Sequence, residues 1–266
     1  LITSSAASDV YKRQVNDRTF QPVSVGLKGN MAETLNSLQN LLGERETDLG
    51  WLKKARDCFD KIHNFELGIS SEYRESSGIA PQAVYKEIRK VVPEETIIAA
   101  DAGAHKSLAS QAWLTNLPLK YFVSNGLSPM GFSLGAAMGA KMALPKAPVI
   151  SFVGDGGFLM YAGELATWKR LDIAMIQVIM VDNGLTQVKS KQLKKGYNTE
   201  STSFEKIDYK KIVESFGIDA IEAHSVPELV DGIKKALKLD KPVSIIVKLD
   251  GSCLLYTSDA ADDVIS

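Results

Sequence analysis

The sequence predicts an α/β protein with a doubly wound, mostly parallel sheet and helices on both of its faces. From Ile79 onward, apolar runs of strand length alternate with helical segments, which is the order expected of successive β-α-β units. The apolar runs are continuous rather than interrupted by polar residues, as strands are when a parallel sheet is covered on both faces. Ligands of such sheets bind at the carboxyl ends of the strands.

Each element of this region carries its own signal. The helix PQAVYKEIRKVV is amphipathic and has Pro81 in its first turn, where proline is well tolerated. GFSLGAAMGAKMAL is a helix rich in small residues, so we expect another element to pack closely against it. The remaining predicted helices are HKSLASQAWL, GELATWKRLD, DYKKIVESFG and VPELVDGIKKALK. The predicted strands are TIIAAD, KYFVSN, PVISFVGD, AMIQVIMVDN, IDAIEA and PVSIIVKL.

The region before Ile79 has a different organisation. Residues 15–42 contain a strand-like run, QPVSVGL, and a short helix, AETLNSLQNLL, which together are too small to fold alone. We interpret them as the tail of a preceding domain, and the resemblance described below implies that this is a truncated central domain. Residues 43–78 are charged and polar, with a helix around Trp51, and are interpreted as a linker. The main domain is expected to span residues 79–252.

The two ends of the chain are expected to be non-native. One codon reading of SSAASDVYKRQ, reverse-complemented and shifted by one base, encodes the stretch CLLYTSDAAD near the other end. Unrelated peptides should not share that relation, and the pair resembles translated sequencing-library adapter. Residues 1–14 and 253–266 are therefore excluded from fold reasoning. Of the two cysteines, Cys58 remains, and we interpret it as an incidental thiol.

Composition argues against several classes of function. The 266 residues are 45% hydrophobic and 24% charged, with a net charge of −1, so nothing favours nucleic acid or an anionic membrane as a partner. No run approaches the roughly 20 apolar residues that a membrane helix needs. Two cysteines are too few for a disulfide framework, which favours a reducing, cytoplasmic location.

A glycine-rich loop follows the strand PVISFVGD. Gly154, Gly156 and Gly157 allow a sharp turn and a close approach of the backbone to a ligand. The helix that follows presents unpaired N–H groups, which favour phosphate. Asp155 adds a carboxylate at the same place, and a carboxylate beside a phosphate makes sense when a divalent cation bridges them.

A second polar group follows the next strand. Asn183 lies one strand–helix–strand unit after Asp155, so both can occupy the same sheet edge. An amide oxygen is a suitable Mg²⁺ ligand, and the backbone carbonyl of Leu185 can supply another. The residues alone leave two interpretations open, an ordinary turn and a cation–phosphate site.

Three motifs together resemble a known family. GDGGFLMYAGELATWKR, followed by VDN, resembles the thiamine-diphosphate (ThDP) motif of the acetolactate synthase, pyruvate oxidase and pyruvate decarboxylase superfamily, which begins with GDG, has an ExxT helix and closes with NN. Glu164, Thr167 and Arg170 fall in the matching helix. SNGLSPMGFSLGAAMGA resembles the family loop SxGLxxMGFxLxAAxGA, and GAHK resembles GQHQ. The resemblance runs from about Ile79 to Leu249 and implies the ThDP-binding fold.

The resemblance implies the cofactors ThDP and Mg²⁺. Asp155 and Asn183 would be side-chain metal ligands, with the Leu185 carbonyl as a third, and the N–H groups of Gly156 and Gly157 would bind the diphosphate. The full set of implied cofactor-binding residues is Ala104, His105, Ser128, Met130, Gly154, Gly156, Gly157, Asn183 and Leu185.

The rest of this set would hold other parts of the cofactor. Met130 would lie under the bridge between the thiazolium and pyrimidine rings and force the bent conformation. The Ser128 carbonyl would accept from the 4′-amino group. Ala104 and His105 would lie near the diphosphate, although His105 by itself also suits an ordinary helix start.

The sequence departs from the family pattern at three points. Asp182 replaces the first Asn of NN, Gly157 replaces a common Ser, and the interval is one residue longer than expected. Asp182 can compete as the metal ligand, although its place in the motif suggests a supporting role. None of these departures removes the pair of Asp155 and Asn183.

Other polar residues receive plainer interpretations. Glu164 is expected to be structural, and His63 and His224 to lie on the surface. The basic run from Lys189 to Tyr197 is either a solvated face or, as the resemblance implies, part of an active-site cover.

The resemblance implies an enzyme that decarboxylates a 2-keto acid and joins the product to an acceptor, with a homo-oligomer as the full-length form. No catalytic residue is expected in this fragment, because the activating glutamate of the family lies in a different domain, and the chain alone is expected to be inactive. Another ThDP class and, in a different category, a nucleotide-binding module without ThDP stay open as alternatives. The absence of G-x-G-x-x-G after a strand and of G-x-x-x-x-G-K-[ST] argues against the last.

Overall fold

The computed structural model describes residues 27, 29–43, 48–63 and 78–250, with the backbone alone for 61–63. The predicted strand QPVSVGL, apart from Leu27, and both adapter-like ends lie outside the described residues. The chain divides at Asp60 into two compact units, which are described separately.

The first unit holds two predicted helices. Helix α1 is Met31–Leu42 and helix α2, which begins in this unit, is Leu49–His63. The side-chain oxygen of Asn30 accepts from the N–H groups of Ala32 and Glu33 at 3.0 and 3.3 Å, as expected of a helix cap. Both helix predictions are confirmed. Cys58 on α2 is exposed.

The second unit alternates helices and strands as predicted. Its elements in chain order are α3 (Pro81–Val91), β1 (Ile97–Ala100), α4 (Ala104–Ala112), β2 (Tyr121–Val123), α5 (Phe132–Ala143), β3 (Val149–Gly154), α6 (Asp155–Tyr161), α7 (Leu165–Arg170), β4 (Ile176–Val181), α8 (Thr186–Lys194), α9 (Tyr209–Ser215), β5 (Asp219–Ala223), α10 (Val226–Ala236) and β6 (Val243–Lys248).

The six strands form one sheet in the order β2-β1-β3-β4-β6-β5, and every neighbouring pair is parallel. The fold-class prediction is confirmed. The chain leaves β1 towards β2 and then returns past β1 to β3, so the winding direction reverses between β1 and β3. A reversal of this kind opens a crevice at the carboxyl ends of the two strands.

Each face of the sheet is covered by its own core. Helices α3, α4 and α10 pack on one face, while α5, α6, α7 and α9 pack on the other. On the first face, Phe152 lies between the rings of Tyr85 and Trp113, with ring centroids 4.7 and 5.9 Å away. On the second, the indole N–H of Trp168 donates to the carbonyl of Ile173 at 2.7 Å. The sheet is therefore packed on both of its faces.

Three local features differ from the expectation. The basic segment after β4 forms a helix, α8, although its apolar residues have no helical period. Helix α6 begins at Asp155 itself, so GDGG is the last residue of β3 followed by the first helical turn, rather than a loop. In α5, Ser133 and Ala137 pack closely on the sheet, but a Cβ added at Gly135 or Gly139 would meet no described atom within 4 Å.

Candidate functional site

A cavity of about 210 Å³ opens at the carboxyl ends of β1, β3 and β4. Its position is the crevice that the reversed winding predicts. Its walls come from four segments, which follow β1, precede α5, begin α6 and follow β4. The lining residues are Ala102, Gly103, Ala104, His105, Ser128, Met130, Gly154, Asp155, Gly156, Gly157, Asp182, Gly184, Leu185, Thr186, Gln187 and Val188.

Asp155 joins the ends of two strands. Its side chain is 2% exposed, and its Oδ1 accepts from the N–H of Gly156 at 2.8 Å. Its Oδ2 accepts from the N–H groups of Asp182 and Gly184, both after β4, at 3.3 and 3.2 Å. The carboxylate therefore has a fixed orientation at the cavity wall.

Asp182 brings a second carboxylate to the same wall. Burial raises the pKa of Asp155, and the neighbouring charge of Asp182 raises it further. Burial also raises the pKa of Asp182. The two carboxylates, of which Asp155 is buried and Asp182 half-buried, repel each other when both are charged, and a bound cation would relieve that repulsion. Among the described residues no group of three or more His, Cys, Asp or Glu side chains could hold a metal, so other oxygens would have to complete a ligand set.

Asn183 occupies a different position from its neighbours. It is exposed and does not line the cavity, and its backbone has a left-handed φ of 59°. Its carbonyl accepts from the N–H of Phe204 at 2.8 Å. The carbonyl of Leu185, the other predicted ligand, accepts from the N–H of Lys189 at 2.9 Å. Asp182 lines the cavity and Asn183 does not, and the role of Asn183 as a metal ligand stays a prediction.

Two glycines of the motif leave no room for a side chain. A Cβ on Gly156 would lie 2.8 Å from Leu185 Cδ2 and 3.1 Å from Met130 Cε. A Cβ on Gly157 would collide with the carboxylate of Asp101. Both glycines line the cavity, so the backbone of the first turn of α6 forms part of its wall, as expected of a diphosphate cradle.

His105 contributes a neutral imidazole to the wall. Burial lowers its pKa to about 4, and its Nδ1 is buried without a hydrogen-bond partner. The hydroxyl of Tyr85 donates to the His105 carbonyl at 3.2 Å, which fixes the start of α4. An unpartnered polar atom at a cavity wall is what a polar ligand would satisfy.

The segment with Ser128 and Met130 is held by two residues that the sequence analysis quoted but gave no role. The carboxylate of Asp101 accepts from the N–H groups of Gly131 and Ser133 at 2.8 and 3.2 Å. The ammonium group of Lys106 donates to the hydroxyl of Ser128 at 3.1 Å. A sequence signal was available for Asp101, a charged residue directly after a buried strand, but not for Lys106, which lies within α4.

Tyr209 on α9 was also missed. Its ring packs edge-on against Phe158 of α6, with centroids 5.7 Å apart, and is 2% exposed. Its hydroxyl is buried without a partner. Burial raises its pKa, and the charges of Asp155 and Asp182 raise it further. No sequence signal could have shown this placement, because Tyr209 reads as an ordinary core position of a helix.

Comparison with known proteins gives this cavity its context. Residues 101–247 match the family described as "Thiamine pyrophosphate enzyme, C-terminal TPP binding domain". The chain belongs to this family. Thiamine pyrophosphate is ThDP, and the matched range contains every residue that lines the cavity. The family expectation from the three motifs is confirmed.

Several known proteins are similar in sequence to this chain. The acetolactate synthase of Bacillus subtilis (strain 168) is 30% identical over 89% of this chain and 41% of that protein. The probable acetolactate synthase large subunit of Methanocaldococcus jannaschii is 34% identical over 75% and 35%. A 3D-(3,5/4)-trihydroxycyclohexane-1,2-dione hydrolase of Bacillus subtilis is 29% identical over 84% and 37%. The chain thus spans well under half of the length of these relatives.

The residues present fit the family cofactor. The two carboxylates at the wall suit a divalent cation, the glycine turn suits a diphosphate, and the buried Nδ1 of His105 lacks a partner that a ligand can supply.

Two further expectations concern membrane helices and the exposure of two histidines. No helix within the described ranges is long and apolar enough to cross a membrane, and His224 is exposed as predicted, while the side chain of His63 lies outside the description.

Proposed function

We propose that this chain is the ThDP- and Mg²⁺-binding part of an acetolactate synthase-like enzyme that acts on 2-keto acids by decarboxylation and carboligation. The observation that carries the proposal is the pair of carboxylates, Asp155 and Asp182, at the wall of a cavity inside the matched family region. The similarity to two acetolactate synthases supports the choice of reaction.

The metal would be held by Asp155 and Asp182. Mg²⁺ commonly takes one or two carboxylates and completes its six ligands with phosphate oxygens, backbone carbonyls and water. Two carboxylates and a diphosphate meet this requirement without the exposed side chain of Asn183. We therefore prefer Asp182 over Asn183 as the second ligand.

The other residues would bind and orient the cofactor. The N–H group of Gly157 would donate to the diphosphate, with Ala104 and His105 beside it. The N–H of Gly156 would join it by leaving Asp155 Oδ1, to which it now donates at 2.8 Å. Met130 and the carbonyl of Ser128 would set the shape of the organic part. When bound, ThDP supplies an electron sink for loss of carbon dioxide. The chain would position the cofactor, exclude water along one side of it and balance its charge.

We further propose that the activating glutamate comes from a part of the protein outside this chain. The chain spans 41% of the Bacillus subtilis acetolactate synthase, which supports a larger working enzyme. On this basis the chain alone binds cofactor but does not turn over 2-keto acids, and the working form is a homo-oligomer in the cytoplasm.

The metal assignment is tested by three alanine variants of the chain. In titrations of Mg²⁺ with ThDP by calorimetry, Asp155→Ala and Asp182→Ala should each weaken binding by about 10-fold or more, because each removes a direct ligand. Asn183→Ala is the matched control and should stay within about threefold of wild type. A large loss in Asn183→Ala with little loss in Asp182→Ala would restore Asn183 as the ligand, and failure of the unmodified chain to bind would refute the proposal.

A second candidate reaction is hydrolysis of a cyclic 1,2-dione. The observation that favours it is the similarity to the trihydroxycyclohexane-1,2-dione hydrolase over 84% of this chain. Both candidates use the same cofactor half-site, so the chain itself does not discriminate between them. An assay of the full-length protein with pyruvate and with a cyclic 1,2-dione would do so, since only one should be consumed at a useful rate.

A further inference from the structure

The segment from Ser124 to Gly131 contributes Ser128 and Met130 to one wall of the cavity, and the backbone at Ser128 is in an unfavourable conformation. Ser128 has a left-handed φ of 48°, which is uncommon for a residue with a side chain. It precedes Met130, whose methyl carbon reaches the first turn of α6. A backbone of this kind persists only when its surroundings hold it in place.

Lys106 forms hydrogen bonds across this turn. Its ammonium donates to the carbonyl of Ser124 and to the hydroxyl of Ser128, both at 3.1 Å. The Ser128 hydroxyl in turn donates to the same Ser124 carbonyl at 2.7 Å. These three groups close a small ring across the turn, and the bonds from a charged donor are the stronger kind.

Asp101 fixes the other end of the same segment. Its buried carboxylate accepts from the N–H of Gly131 at 2.8 Å. Asp101 and Lys106 both belong to the short stretch that follows β1, so the segment with Ser128 and Met130 is attached at both ends to one strand exit. Asp101 also lies within the core, where its loss would disturb folding, whereas Lys106 is only part-buried.

We propose that Lys106 is a positioning residue for the cofactor. It sets the direction of the Ser128 carbonyl and the position of the Met130 side chain in the cavity. The inference rests on the proposed function and extends it to a residue with no assigned role. Lys106 acts through Ser128 rather than by contact with the reacting atoms. The part of the ligand that depends on it is the organic part, because the diphosphate would be held by α6.

Two simpler roles for Lys106 make different forecasts. If the ammonium only attracts anions, its loss should weaken every diphosphate ligand to the same degree. If it only stabilises the fold, its loss should lower the melting temperature without selective effects on ligands. A positioning role predicts a loss for ThDP that inorganic pyrophosphate does not share.

The experiment compares these two probes on the full chain. Calorimetry in the presence of Mg²⁺ measures the affinities for ThDP and for inorganic pyrophosphate in wild type, Lys106→Met, Lys106→Arg and Lys141→Met. We expect Lys106→Met to lose about 10-fold for ThDP and less than about threefold for pyrophosphate, because hydrogen bonds from a charged donor are lost only at the turn. Lys106→Arg, which keeps the charge and donors, should recover most of the affinity.

Lys141→Met is the matched control. Lys141 also donates to a backbone carbonyl, that of Ala147, at 3.0 Å, but it lies at the far end of α5. The Lys141→Met variant should therefore bind both probes as wild type does. Equal losses for both probes in Lys106→Met, or no loss at all, would overturn the proposal. A wild type that does not prefer ThDP over pyrophosphate would overturn it too, while leaving the metal site intact. A wild type that binds neither probe refutes the proposed function instead.

Discussion

At the residue scale, the chemistry of the site was easier to predict than the directions of its side chains. Asp155 could be found because its place between glycines at a strand end suits a cation–phosphate site, and the family resemblance favoured that interpretation over an ordinary turn. The motif favoured Asn183 over Asp182 as the second metal ligand, whereas the structure has Asp182 in the cavity lining and Asn183 exposed with a left-handed φ of 59°, which no local pattern predicts. Lys106 could not be assigned either, because its partners lie 18 and 22 residues away along the chain.

The orphan hydroxyl of Tyr209 gives a residue-scale prediction. A buried hydroxyl without a hydrogen bond costs about 1–3 kcal/mol, so Tyr209→Phe should raise the free energy of unfolding by about 1 kcal/mol. Tyr85→Phe is the matched control, because the Tyr85 hydroxyl has a partner in the His105 carbonyl and its removal should destabilise the chain. Urea unfolding without ligand measures both. If Tyr209→Phe destabilised the chain as Tyr85→Phe does, the Tyr209 hydroxyl would have to be bonded through water, and the prediction would fail.

At the element scale, the strands and most helices follow from apolar pattern, while α8 does not. Its residues Thr186–Lys194 are mostly polar, and Ser190 is the one buried residue among them, so no apolar stripe predicts a helix. The segment is instead fixed from outside, since the N–H of Leu185 donates to the carbonyl of Thr202 at 2.8 Å. Tertiary contacts of this kind override weak local preference.

Helix α5 carries the element-scale prediction. Glycine inside a helix is destabilising by roughly 0.5–1 kcal/mol relative to alanine, and an added Cβ at Gly139 meets no described atom within 4 Å. Gly139→Ala should therefore raise the free energy of unfolding of the chain by that amount. Gly232→Ala in α10 is the control, because its Cβ would lie 3.3 Å from Ile221 Cγ2 and should gain less. Chemical denaturation of both variants decides, and an equal or larger gain for Gly232 would contradict the packing argument.

At the scale of the whole molecule, the fold and the site have one origin. The strand order reverses between β1 and β3, and that reversal creates the crevice into which the polar strand ends project. Alternation of strands and helices was sufficient to predict a parallel sheet. The position of the reversal was not predictable, because it depends on which strand each crossover returns to, and no local pattern records that choice.

Because the crevice connects the ends of three central strands, a bound ligand should stabilise the second unit as a whole. At about 100 times its dissociation constant, a ligand that binds only the folded state adds about 2.7 kcal/mol. For a unit of this size each kcal/mol raises the melting temperature by roughly 2–4 °C, so Mg²⁺ with ThDP should raise it by roughly 5–10 °C. Neither thiamine with Mg²⁺ nor ThDP with a chelator should do so, because on the proposed function the diphosphate and the metal bind together at Asp155 and Asp182. Differential scanning fluorimetry of wild type and Asp155→Ala provides the measurement. A shift of equal size in the variant, or one produced equally by thiamine, would mean that the stabilising ligand binds elsewhere than at the paired carboxylates.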